Sequence, residues 1–273
     1  MATAKEEIKK PRVITEKQVE ISITLQKIMV SGKYSALSGA VAREQALDNL
    51  AANLANVNTT GFKKKRIGFE AILRGAKQTA DSNGINYSRV RTIDTDFSQG
   101  GLQETGRSLD VAIGGDGFFK TRRGNEVFYT REGHLQIDEN GMVKTSEGYN
   151  VIGRGDQPLQ LIGATGSVIE IDKTGNISLD GLPAGAKLQV FSINDPQKLS
   201  PHGHTMFTLE AGATSQPAQD ATIIQGSLET SNVNMMEEMA TMINTQRKFE
   251  AYIKTLESYS TISEKQDELG SVG

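Results

Sequence analysis

Three patterns in this 273-residue chain could carry chemistry, and each fails a spacing test. His202-Gly203-His204 sets two imidazoles two residues apart, but a metal site takes three or four donors at defined spacing, and His134 is the only other histidine. A polar loop is the favoured reading. Asp94-Thr95-Asp96 is like the acidic pair that holds a divalent ion in some glycosyl-transfer enzymes. Those enzymes need alternating strands and helices around a nucleotide, and no such alternation occurs here. Gly114-Gly115-Asp116-Gly117 lacks the Lys-Ser/Thr ending of a phosphate loop, and no helix is expected after Gly153-Arg154-Gly155. No Gly-x-Ser-x-Gly elbow is present. Zero cysteines exclude disulfides, zinc–thiolate sites, iron–sulfur clusters and Cys nucleophiles. No catalytic residue, cofactor or metal ligand is therefore expected.

The basic run Lys63-Lys64-Lys65-Arg66 invites nucleic acid or anionic lipid as a partner. A formal charge of −3 argues against a polyanion-binding role. The run reads better as a feature of subunit contacts, facing Glu237 and Glu238 of a neighbouring copy.

The elements that would position these residues fall into three stretches. Apolar residues make up 37% of the chain and aromatics 5%, while 28 glycines point to many turns, so the core is thin. No run is long enough for a membrane span, and the first 28 residues hold no apolar stretch of signal-peptide length. From Tyr34 to Val57 there is no Pro and one Gly, Gly39. Leu47, Leu50, Leu54 and Val57 are spaced 3, 4, 3, the pattern of a helix seeking a partner helix. Asn58-Thr59-Thr60-Gly61 ends it, with Gly61 suited to a left-handed position. Asn53 and Asn56, beside Leu54 and Val57, suit buried amides that fix register between subunits.

Between Phe62 and Ser227 the period shortens. Asp110–Ile113, Val127–Tyr129 and Leu135–Ile137 are short apolar runs separated by Gly, Asn and Asp, the signature of antiparallel strands. Ile137-Asp138-Glu139-Asn140-Gly141 recurs as Ile171-Asp172-Lys173-Thr174-Gly175, which predicts two hairpins of one type. After Leu228 a helical period returns: Asn232, Met235, Met239, Met242, Gln246, Phe249, Ile253, Leu256 and Ser260 alternate 3 and 4. Such a helix is roughly 43 Å long and its stripe is narrow, as in a coiled-coil seam. Four of the eight methionines lie between 235 and 242, where a polarizable chain suits either a bundle core or an adaptable contact. The fold expected is α+β, with N- and C-terminal helices forming a coiled-coil-like arm and a central all-β antiparallel domain. Neither helix can bury its stripe on the β part, so the two pair with each other and with other copies.

Tyr34–Ala40 (YSALSGA) and Leu50–Lys63 (LAANLANVNTTGFK) resemble the N-terminal signature of bacterial flagellar rod and hook proteins. Ser108–Phe119 (SLDVAIGGDGFF) and Tyr129–Leu135 (YTREGHL) resemble the start of that family's β domain. Gln225–Asn234 and Met242–Glu250 resemble its C-terminal signature. Ordered motifs from about residue 31 to 265 carry the likeness. It implies a non-enzymatic subunit of the basal-body rod, spanning the periplasm and exported by the flagellar type III apparatus without a cleaved signal peptide. It also implies self-association, other rod and hook proteins as partners, no nucleic acid and no membrane insertion. The assembly seam would be Leu47, Leu50, Asn53, Leu54, Asn56, Val57, Met235, Met239, Met242, Gln246, Phe249, Ile253 and Leu256. Counted from Met29, 245 residues remain, which suits a proximal-rod subunit first and a distal-rod subunit next. The expected segments are residues 1–28, a disordered extension or start-site artefact; 31–62, helical; 63–227, β-rich; and 228–266, helical. The rival from another class is a β-rich extracellular enzyme or binding module with helical dimerisation arms.

Overall fold

The computed structural model describes residues 16–74, 85–164 and 166–271. Helix α1 spans Glu16–Ala55 and helix α2 spans Met235–Ser271, and short antiparallel strands joined by turns lie between them. Contacts divide the chain into two compact units. One comprises Met1–Gln45, Phe69–Val90 and Thr245–Gly273; the other comprises Ala46–Gly68 and Arg91–Asn244.

α1 begins within the first 28 residues, well before Tyr34, whereas residues 1–15 lie outside the described residues. Between Glu16 and Ala55 the sequence has no proline and mostly straight-chain or alanine residues, so nothing interrupts the helix. It stops two residues earlier than the apolar spacing predicts. The Asn56 and Val57 amides donate to the Asn53 and Leu54 carbonyls, tightening the last turn, and Val57 lies in the connection. Gly61 then takes φ +71°. α2 likewise starts three residues after Asn232, because the Asn234 side chain caps it, accepting from the Met236 and Glu237 amides. Glu237 and Glu238 in the first turn complement the helix dipole.

In the first unit the two helices touch through small residues on α1. A Cβ at Gly39 would fall 2.6 Å from the Tyr252 ring, and one at Gly32 would fall 2.3 Å from the Tyr259 hydroxyl. Ala36, Ala40 and Ala42 are buried beside them, so α1 presents a smooth face that lets bulky rings approach.

In the second unit a nine-stranded antiparallel sheet is built on the strand pair Phe118–Arg123 and Glu126–Thr130. Val111–Gly114 pairs with Thr222–Gln225, and Leu102–Glu104 with Ser227–Glu229, so residues from both sides of the domain close it. Val111, Ile113, Phe119, Val151 and Leu188 form the centre of the main core. The repeated motif folds as two matching hairpins. The Asp138 carboxylate accepts from the Asn140 and Met142 amides and Asp172 from those of Thr174 and Asn176, and each turn closes on a positive-φ glycine, Gly141 or Gly175. Those bonds, chiefly from the Asn176 and Thr174 side chains, hold the Asp172 carboxyl down at about 2.

Candidate assembly site

The chain's two terminal regions meet at a buried ion cluster in the second unit. Lys63 Nζ lies 2.5 Å from Glu229 Oε1, and both side chains are fully buried. Arg131 reaches the other carboxylate oxygen at 3.0 Å, and the Gly100 amide donates to Oε1 at 2.9 Å. Lys63 also donates to the Ser98 carbonyl at 2.7 Å. Two buried cations thus share one buried anion. Desolvation pulls the Lys63 amine below its ordinary value, against the opposing attraction of Glu229.

Backbone bonds surround the cluster. Gly61 donates to the Glu229 carbonyl, and the Asn232 side chain accepts from the Lys64 amide while donating to the Asp96 and Ser98 carbonyls. Gly61 cannot carry a side chain here, since a Cβ would fall 2.4 Å from the Glu132 nitrogen. Asn53 is buried and reads residue 65 twice, accepting from the Lys65 amide and donating to its carbonyl. It also donates to Glu238 Oε2 at 3.2 Å, linking the end of α1 to the first turn of α2.

These contacts correct the reading of the basic run as a contact between copies. Lys64 pairs with Glu238 of its own chain at 2.5 Å and approaches Glu237 at 4.0 Å. Lys63 is interior, and Arg66 pairs with Asp96 at 2.6 Å. The charge complementarity holds, but it is satisfied within one chain. Asn232 is corrected too: it lies outside the helical stripe and braces the connection. Asn56 holds the helix end, donating to the Ala52 carbonyl and accepting from Thr59. Glu229 and Arg131 were not singled out from sequence, although both sit in motifs that carry the resemblance; their signal was the need of a buried lysine for a counter-charge.

Two apolar stripes face outward. On α1, within the first unit, Val30, Tyr34, Leu37 and Val41 are exposed at spacings of 4, 3 and 4. Tyr34, Leu37 and Val41 line a groove of about 420 Å³ with Ser88, Arg89 and Val90. On α2, within the second unit, Met235, Met236, Met239 and Ile243 are exposed while Glu238 is buried and Met242 half-buried. Of the remaining expected seam residues, Leu47, Leu50, Leu54, Phe249, Ile253 and Leu256 are half-buried. Gln246 is exposed and bonds Glu250.

The motifs set aside earlier have structural partners. His202 stacks on Phe128 with ring centres 4.8 Å apart, and His134 lies 3.0 Å from Asp110. Asp156, following Gly153-Arg154-Gly155, pairs with Lys120 and Arg122.

Three family models match the chain. Residues 34–63 match "Flagella basal body rod protein", residues 112–179 match "Flagellar hook protein FlgE/F/G D1 domain", and residues 224–269 match "Flagellar basal body rod FlgEFG protein C-terminal". The flagellar basal-body rod protein FlgG of Bacillus subtilis (strain 168) is 32% identical over 254 residues, covering 84% of this chain and 94% of the relative. The chain belongs to the flagellar basal-body rod protein family. The FlgG rod protein of Borreliella burgdorferi is similar at 32% identity, covering 84% and 95% of the two chains. The FlgF rod protein of Caulobacter vibrioides is similar at 29%, covering 86% and 96%. The chain is accordingly a structural subunit of the flagellar basal-body rod and not an enzyme, and the extracellular-enzyme rival falls. All three matched segments include the residues of the ion cluster or the core strands that carry it. Among the described residues no helix is long and apolar enough to cross a membrane.

Proposed function

We propose that this rod protein polymerises through its terminal helices into the axial shaft that carries torque from motor to hook. The observation that supports the reading is the pair of outward stripes, Val30–Tyr34–Leu37–Val41 and Met235–Met239–Ile243, on two helices that each keep a second face for their own chain. Apolar faces of this kind are stabilised by burial, and a coiled-coil-like seam with other copies supplies it. The seam runs over Leu47, Leu50, Leu54, Val57, Met235, Met239, Met242, Gln246, Phe249, Ile253 and Leu256, while the Asn53 and Asn56 amides, also expected in it, are taken up by bonds within their own chain. Residues 31–62 and 228–266 act as the polymerising segments, and residues 63–227 set lateral contacts. The partners are further copies and other axial proteins, and delivery runs through the type III apparatus across the periplasm. Within the axis the position we favour is the proximal rod, with a distal-rod or hook-type position next. Ordering of the helix ends is completed on assembly, which keeps the subunit soluble beforehand.

Met239→Asp tests this most cleanly, since Met239 is exposed in the single chain. Expected are loss of motility and of rods in electron micrographs, with unchanged unfolding of the β domain; Leu54→Asp does the same from α1. A motile strain with normal basal bodies refutes the seam.

A further inference from the structure

Six methionines have described side chains, and three of them crowd the outer face of α2. Met236 is 75% exposed, Met235 and Met239 are each 43% exposed, and Ile243 at 51% completes the face. At 100° per residue these four fall within about a quarter-turn to a third of the helix circumference. Met206, by contrast, is 1% exposed, packed with Phe128 and Tyr149 in the interior. Methionine adapts to irregular contacts, and its thioether is the apolar side chain most open to two-electron oxidants.

We propose that Met235, Met236 and Met239 form an oxidative modification site of the unassembled subunit, taking peroxide-class oxidants, and that their oxidation bars the subunit from the rod. The second half rests on the assembly reading above. A sulfur lone pair attacks one peroxide oxygen, the S–O bond forms and the O–O bond breaks. The departing hydroxide takes the proton of the new sulfur-bound hydroxyl and leaves as water, giving the sulfoxide; sulfur loses two electrons and the peroxide gains them. The product sulfoxide is polar and a strong acceptor, so an apolar stripe becomes one that must be desolvated at a cost when a partner helix covers it. In the finished rod the same sulfurs are covered by the neighbour, so the sensitivity belongs to the subunit in transit. A sulfoxide reductase restores the thioether.

Two arms test this. The purified full chain is exposed to dilute hydrogen peroxide and its peptides are sequenced by mass spectrometry over time. Met236 is expected to oxidise at least about fivefold faster than Met206, with Met235 and Met239 between or close to Met236. Equal rates at Met206 and Met236 overturn the site. In cells, Met236→Gln with Met239→Gln imitates the sulfoxide's polarity and is expected to abolish rods, whereas Leu at positions 235, 236 and 239 is expected to assemble and to keep assembling under peroxide that stops the wild type. Normal rods from the Gln variant while Met239→Asp blocks them overturn the oxidative block alone. Normal rods from both variants overturn the seam and the block together. A Leu variant as peroxide-sensitive as the wild type also overturns the block.

Discussion

The buried cluster around Glu229 makes an asymmetric prediction about charge removal. Intact, the site holds Lys63 and Arg131 against a single carboxylate, a net of one positive charge away from water. Glu229→Gln keeps the shape but leaves two cations buried without a counterion. Its amide group also points donors at donors. Breaking a buried pair this way costs about 3–5 kcal/mol. Lys63→Met instead removes the surplus cation. Glu229 keeps Arg131 at 3.0 Å and the Gly100 amide at 2.9 Å, and the Ser98 carbonyl keeps its bond from Asn232. The expected cost is about 1 kcal/mol, since a desolvated charge is given up along with its bonds. In urea, with a slope of about 2 kcal/mol per molar, Glu229→Gln should lower the midpoint by roughly 1.5–2.5 M and Lys63→Met by about 0.5 M. Circular dichroism of the β signal reads both midpoints. The pH dependence has a definite sign as well. Desolvation lowers the folded-state pKa of Lys63 below 10.5, so the unfolded chain binds that proton more tightly. Stability therefore rises as pH climbs from the folded pKa toward 10.5, and Lys63→Met flattens that limb. If Lys63→Met costs as much as Glu229→Gln, the cluster is not limited by surplus positive charge and the reasoning is wrong.

Three further outcomes follow from local geometry. Gly61→Ala combines a left-handed φ of +71° with a Cβ 2.4 Å from the Glu132 nitrogen, so it should cost about 2–4 kcal/mol in urea unfolding; Gly148→Ala, at φ +84° with open space, should cost only about 1 kcal/mol in the same titration. Lys64→Glu should destabilise by meeting buried Glu238, and adding Glu238→Lys should recover part of the loss, a coupling of about 1–2 kcal/mol in a double-mutant cycle. The Asp172 carboxyl sits at about 2 against an ordinary 3.8, so its contribution is complete above pH 4 and is lost as pH falls toward 2; Asp172→Asn should remove that part of the acid slope in urea titrations.

Which features were legible from sequence follows the range of the forces behind them. The Asp138 and Asp172 hairpins were readable because the bonds of each Asp carboxylate lie within five residues, Asp138 to Met142 and Asp172 to Asn176, and each turn demands the residue types that spell it. Gly61 was readable for the same reason, although the demand of Glu132 for space at that position was not. The Lys63–Glu229 pair joins residues 166 apart, and no periodicity reports on it. Lys64 and Glu238 are the instructive middle case: opposite charges were visible, but charge complementarity does not say whether the partner belongs to the same copy. Helical spacing has a similar blindness. It located a stripe through Met235, Met239 and Met242, yet a period cannot distinguish the face a chain uses itself from the one it leaves open. The structure separates the two. Glu238 turns inward to Lys64 and Asn53, and that ion pair and amide bond fix the first turn of α2 against the last turns of α1 within one unit. With Glu238 buried, Met236 and Ile243, roughly 160° and 140° round the helix from it, must point outward, while Met235 and Met239, roughly 60° and 100° away, sit on the flanks and are only partly exposed. The outward apolar face is thus a geometric consequence of the inward polar clamp. A subunit whose clamp was broken would lose the orientation of its contact face before it lost the helix itself.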